Sequence, residues 1–178
     1  MLTLRFKKTL DADATLTLIR SDGSSTWAEI GAADGAGPMH DLAHVVVERQ
    51  LMLVNAYLSR VARGGSFGDF GEDAAVRLGP DAVRAEAIAG LLALETLGGR
   101  RLTLSAFNDA VRERCKAMRP GYHAPDLTPS TLHALRTELG ALRREWEALD
   151  PGATLELRFG QDDAAAGPPS DPASPGRP

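Results

Sequence analysis

The segment TLELRFG, residues 154–160, repeats a pattern set at the other end of the chain. Leu155, Leu157 and Phe159 alternate with polar or charged neighbours, as Leu2, Leu4 and Phe6 do in LTLRF at residues 2–6. Period-two alternation marks a strand with one buried face. Two such strands flanking a helical middle imply that the last strand returns to the first sheet. That return decides the fold class: one α+β domain over residues 1–160, not a sheet followed by a separate helical body.

Moving inward, ATLTLIR (14–20) alternates again and TWAEI (26–30) reads as a third strand. Between them SDGSS (21–25) carries Asp-Gly, the strongest short hairpin signal. GAADGAG (31–37) then ends the strands. The expected architecture is a small antiparallel sheet, three N-terminal strands plus the C-terminal one, packed on about four helices. The first helix is expected from Pro38 to about Arg63, and the second from Pro80-Asp81 to Gly98-Gly99. The third is expected at 104–118 with Ser105 as N-cap, and the fourth from Thr128-Pro129. In the fourth, Leu132, Leu135, Leu139, Leu142, Trp146 and Leu149 form a seam suited to packing along another helix. GGSFGDFGED (64–73) reads as a flexible loop or lid, since it lacks the Lys-Ser/Thr ending of a P-loop. Residues 161–178, rich in proline, alanine and glycine, read as a disordered tail.

Composition narrows the function. Twenty Lys and Arg against 24 Asp and Glu give a net charge of −4, the wrong sign for a general nucleic-acid binder. GGRR (98–101) and the RERCK run read as solvated faces. No apolar run reaches the roughly 20 residues that span a bilayer, and no leader is expected at Met1. The single Cys115 fits a reducing compartment, so the expectation is a cytoplasmic protein with no membrane or nucleic-acid partner.

The chemistry concentrates in PMHDLAHVVVERQLMLVNAYL, residues 38–58. At 100° per residue His40, His44, Val47, Leu51, Val54 and Leu58 share one stripe, flanked by Asp41, Glu48 and Asn55. Imidazoles at i and i+4 project in parallel and can chelate one divalent ion. Glu48 is four residues past His44, close enough to orient its ring. His40 and Glu48 lie roughly 12 Å apart along the helix, so a third ligand must come from elsewhere. The second helix offers Glu86, at the edge of an apolar face holding Val83, Ala87, Gly90, Leu94 and Leu97. A carboxylate there needs a partner, and a metal or a histidine would serve. His123, His133, Glu95 and Asp109 read as loop or helix-surface groups.

HDLAH resembles the HExxH helix of the zincin metallopeptidases, with aspartate in place of the glutamate. In the gluzincin branch a small sheet precedes this helix and a glutamate from a later helix supplies the third ligand. The resemblance implies a zinc site of His40, His44 and Glu86, with Asp41 in the general-base position. Over roughly the first hundred residues the chain also resembles an uncharacterised bacterial family sharing an H-D-L-x-H-x-x-V-E segment. That likeness implies a shared fold and treats His40, Asp41, His44, Glu48 and Glu86 as a set.

Two readings stay open. In the first, the protein binds a divalent metal, zinc foremost, and is a metal-dependent hydrolase in which Asp41 or Glu48 accepts a proton from water. In the second it is a non-catalytic structural or interaction protein with a His/Glu core network. The 132–149 seam and the tail would then engage a partner or a second copy.

Overall fold

Leu4 faces Leu18 on one side and Leu157 on the other, and this triple fixes the register of the sheet. In the computed structural model, which describes residues 1–9, 14–31, 37–69 and 74–160, β1 (Leu2–Lys8), β2 (Ala14–Arg20), β3 (Ser25–Ile30) and β4 (Thr154–Phe159) are all antiparallel, in the order β3-β2-β1-β4. The patterned strands at the two chain ends are therefore neighbours. Leu2 pairs with Phe159 and Phe6 with Leu155. Because side chains alternate with period two, this register puts both apolar sets on one face, against the helices. Lys8 locks the arrangement: its Nζ donates to the backbone oxygens of Trp146 and Leu149, where the carbonyls at a helix C-terminus favour a cation.

Among the described residues the helical layer holds the four long helices expected and two short ones. They are α1 (Pro38–Gln50), α2 (Tyr57–Ala62), α3 (Ala74–Leu78), α4 (Pro80–Gly98), α5 (Leu104–Met118) and α6 (Pro129–Ala148). Thr128 caps α6 through Thr131 N–H, as its position suggests. The cap of α5 is Thr103, not Ser105; its hydroxyl accepts from Ala106 N–H. The α6 seam Leu132, Leu135, Leu139, Leu142 and Trp146 is buried in the chain's own core, where α6 packs on α1. An assembly through α6 would have to use its other faces.

The first helix is shorter than expected. It stops at Gln50 rather than Arg63, and the reason is a Schellman ending. Leu53 N–H bonds the Glu48 carbonyl and Met52 N–H bonds the Arg49 carbonyl. Met52 takes the left-handed position, φ 49°, that glycine usually fills. The stripe drawn through Val54 therefore breaks, and Val54 is exposed. Glu48, placed on a flanking polar stripe, is instead fully buried. On α4 the apolar face turns out differently too: Val83 and Ala87 are buried, but Leu94 and Leu97 face solvent. Glu95 is not a surface acid. It is buried against Arg136, which donates to both its oxygens, and it accepts Leu102 N–H as well. Asp109, His123 and His133 are exposed as expected.

Part of the predicted 64–73 loop is ordered by its own contacts. Residues Phe67–Asp69 form a 3-10 turn, and Phe67 N–H donates to Thr26 Oγ1. Residues 70–73 of that loop and the predicted tail, 161–178, lie outside the described residues.

Candidate metal centre

Pro38 at the first turn of α1 and Pro80 at the first turn of α4 start the two helices that carry the site. The helices pack along one another, and α4 brings buried alanines Ala82, Ala85, Ala89 and Ala93 into the core. Small side chains of this kind shorten the distance between packed helices. Glu86 is thereby carried to the two histidines of α1. One carboxylate oxygen lies 3.2 Å from His40 Nε2 and the other 3.2 Å from His44 Nε2. One ligand atom from each of the three residues falls within 4.8 Å of the others, a group that can hold a metal ion. Four ligands at about 2.0–2.2 Å around a tetrahedral zinc stand roughly 3.3–3.6 Å apart. The Glu86–histidine spacings are close to that range, and the widest pair needs to close by roughly an ångström.

Behind this group stands Glu48. Its Oε1 is 3.3 Å from His44 Nδ1, and its Oε2 accepts Leu58 N–H at 2.9 Å. A carboxylate at Nδ1 keeps the proton there and turns the Nε2 lone pair towards the site, the usual support for a metal-ligating histidine. The second oxygen satisfies a backbone donor at the start of α2, a helix whose N-cap Ala56 has no side chain able to do so. Both oxygens are engaged and the side chain is sealed from solvent. Glu48 thus orients His44 and anchors α2, and is not placed to exchange a proton with a substrate.

Asp41 is in a different position. It is half-buried and lines the same cavity as His40, His44 and Glu86. Burial raises its carboxyl above the ordinary range, against the pull of His44 and His40. A raised carboxyl moves towards the pKa at which an acid works as a base near neutrality.

Tyr57 is the residue the sequence did not reveal. Its ring meets His44 edge-on at 4.9 Å, and its hydroxyl donates to Glu86 at 3.4 Å. Burial, then the negative charges of Glu86 and Glu48, push its pKa up, so it stays a phenol and a donor. A continuous helix to Arg63 would have carried Tyr57 away from His44. The break at Met52 returns it, and neither glycine nor proline announces that break.

The side chains of the group form an ion-pair network. Burial opposes a charge on His44, but the hydrogen bonds to Glu48 and Glu86 outweigh it and push the imidazole up to about 10. Burial likewise disfavours the Glu86 carboxylate, and the bonds from His40 and His44 more than reverse this, holding it well below the usual range. The three side chains differ in their access to solvent. The His44 side chain is 9% exposed, while those of His40 and Glu86 are 32% and 34% exposed. They open onto a cavity of about 480 Å³ between the sheet and the segment after α2. Arg20 anchors that segment, donating to the carbonyls of Val61 and Gly65.

Comparisons with protein-family models, with curated proteins and with solved structures return no match.

Proposed function

We propose that this protein binds a divalent metal ion, zinc foremost, through His40, His44 and Glu86, and that it is a metal-dependent hydrolase with a zincin-like site. One observation carries the reading: two helices deliver two imidazole nitrogens and a carboxylate to one point, within 4.8 Å, on a cavity wall. Three protein ligands facing a cavity match a catalytic zinc site, which keeps a position open, better than a closed structural one. A bound ion of this kind lowers the pKa of water and polarises a carbonyl.

The surrounding residues then have distinct roles. Asp41, on the cavity side, accepts a proton from water. Tyr57, held as a phenol, donates to Glu86 and fixes the direction of that carboxylate. Glu48 fixes the tautomer of His44 and holds α2, which carries Tyr57. The likeness of HDLAH to the gluzincin helix supports the same assignment, with one difference. Aspartate is a methylene shorter than glutamate, so its base must sit closer to the reacting water.

The rival reading is a structural His/Glu network. It is favoured by the completeness of the metal-free hydrogen bonding, in which Glu86 already bridges both rings. Metal content separates the two. Protein purified without a histidine tag should carry about one equivalent of a transition metal, and zinc should raise the melting temperature of chelator-treated protein. Metal content below about 0.2 equivalents with no thermal response to zinc would sink the metal reading.

A further inference from the structure

We infer that the site takes a neutral acyl substrate, an ester or amide, whose apolar arm lies on the sheet leucines beside the metal group. This rests on the metal reading above and adds the substrate class to it. The cavity's volume of about 480 Å³ falls in the range that receives small organic ligands. Its walls are chiefly apolar. Leu4, Leu16 and Leu18 come from the inner face of the sheet, Leu58 and Val61 from α2, and Phe67 from the 3-10 turn.

Charge narrows the class further. The charged or titratable side chains lining the cavity are His40, Asp41, His44, Tyr57 and Glu86, and no lysine or arginine joins them among the described residues. A phosphate or carboxylate on the substrate would meet the acidic side chains of Asp41 and Glu86, and among the described residues no arginine fork lines the cavity to receive it. An apolar arm instead leaves water for a leucine-lined surface, which favours binding by area.

The polar end of such a substrate lies where the ligand group opens into the cavity. The reaction balances without a further reagent. The water oxygen bonds the acyl carbon and the acyl–oxygen or acyl–nitrogen bond breaks. The water's proton passes through Asp41 to the departing alkoxide or amine, leaving an acid and an alcohol or amine.

Binding of alkyl hydroxamates tests this without relying on turnover. Zinc is titrated calorimetrically into chelator-treated protein first, and acetohydroxamate, octanohydroxamate and a hydroxamate of similar length ending in a carboxylate are then titrated into the loaded protein. The octyl compound should bind on the order of 100-fold tighter than the acetyl compound, part of what six buried methylenes can supply. The carboxylate-ended compound should lose most of that gain. Ala75 and the more exposed Val76 line the cavity and are not members of the ligand group. Ala75→Leu should reduce the chain-length preference and leave zinc stoichiometry intact, and Val76→Trp repeats the test at a position that tolerates bulk. Equal binding of the short and long compounds to zinc-loaded protein overturns this inference and leaves the metal site standing. A preference for the carboxylate-ended compound also overturns it. Failure of zinc to bind overturns the metal reading itself, and this inference with it.

Discussion

Glu48 grips His44 from behind: its Oε1 lies 3.3 Å from the ring Nδ1, while Glu86 meets Nε2 at 3.2 Å on the opposite side. One imidazole is thus held between a sealed carboxylate and an accessible one. The first bonds the ring nitrogen that faces the protein interior and the second bonds the nitrogen proposed to hold the metal. Glu48→Gln should separate these functions. The amide offers one acceptor oxygen where two donors, His44 Nδ1–H and Leu58 N–H, need one each. A buried donor left unpaired costs about 1–3 kcal/mol, measurable by urea denaturation. Zinc affinity should fall about 10- to 100-fold, as on losing other such outer partners. Unchanged affinity in a chelator competition would show that Glu48 serves the fold alone.

Glu86→Gln acts on the proposed ligand itself. The amide keeps the shape and loses the charge, so zinc binding should weaken by about two orders of magnitude or more while the circular dichroism spectrum is retained. Glu86 is one-third exposed, so its loss should perturb the core less than the loss of sealed Glu48. A variant that loses thermal stability but binds zinc as the parent does would identify a structural network.

The reach of the sequence differed between fold and site for identifiable reasons. The sheet was legible because Leu2, Leu4 and Phe6 and their counterparts in β4 follow a rigid period, and one buried face allows a single register. His40, His44 and Glu86 were legible as candidates because a carboxylate on a buried helix edge demands a partner. The turn at Met52 was not legible, since a methionine occupies a left-handed position that nothing in its type signals. With it went the location of Tyr57 and the true end of α1. Glu95 was misread for a related reason: its partners, Arg136 and Leu102, are set by packing between helices rather than by spacing along one.

That same turn predicts a stabilising change. Met52 is 77% exposed, so little packing is lost on removing its side chain. The left-handed backbone costs a non-glycine residue about 1–2 kcal/mol, partly offset by the extra unfolded-state entropy of glycine. Met52→Gly should raise stability by about 0.5–1 kcal/mol, the difference between those two effects. A loss of stability in urea would show that the Schellman ending of α1 is not held as described.

The metal-free protein should show a defined dependence on pH. His44 has its folded pKa raised from 6.5 to about 10, so its contribution is full below pH 6.5 and is lost as pH rises through 10. The Glu86 pKa is lowered from 4.5, so its contribution is present above that value and is lost as pH falls through the lower folded one. Chelator-treated protein should therefore lose stability as pH rises above 6.5. The increment added by zinc should grow over the same interval, because protons compete with the metal for the histidines. A metal-free melting temperature that does not fall between pH 6.5 and 10 would show that His44 carries no charge in the network.

Arg136 and Glu95 provide a test of the scaffold at a distance from these ligands. Arg136 donates to both Glu95 oxygens, at 2.9 and 2.6 Å, and to the Leu102 carbonyl at 2.9 Å, tying α6 to α4 and to the segment before α5. The pair is largely shielded, with side-chain exposures of 17% and 7%. Arg136→Ala should cost about 3 kcal/mol, because it strands the Glu95 carboxylate out of water. Replacing both partners, Arg136→Met with Glu95→Leu, should recover much of that loss, since apolar packing removes the stranded charge. Some loss should persist, because Leu102 N–H also gives up its acceptor. Zinc stoichiometry should stay unchanged in both variants, because neither residue touches His40, His44 or Glu86. A cost below about 1 kcal/mol for the single change, the range of exposed pairs, would mean that water reaches Glu95 and that α4 and α6 are less tightly joined than their contacts indicate.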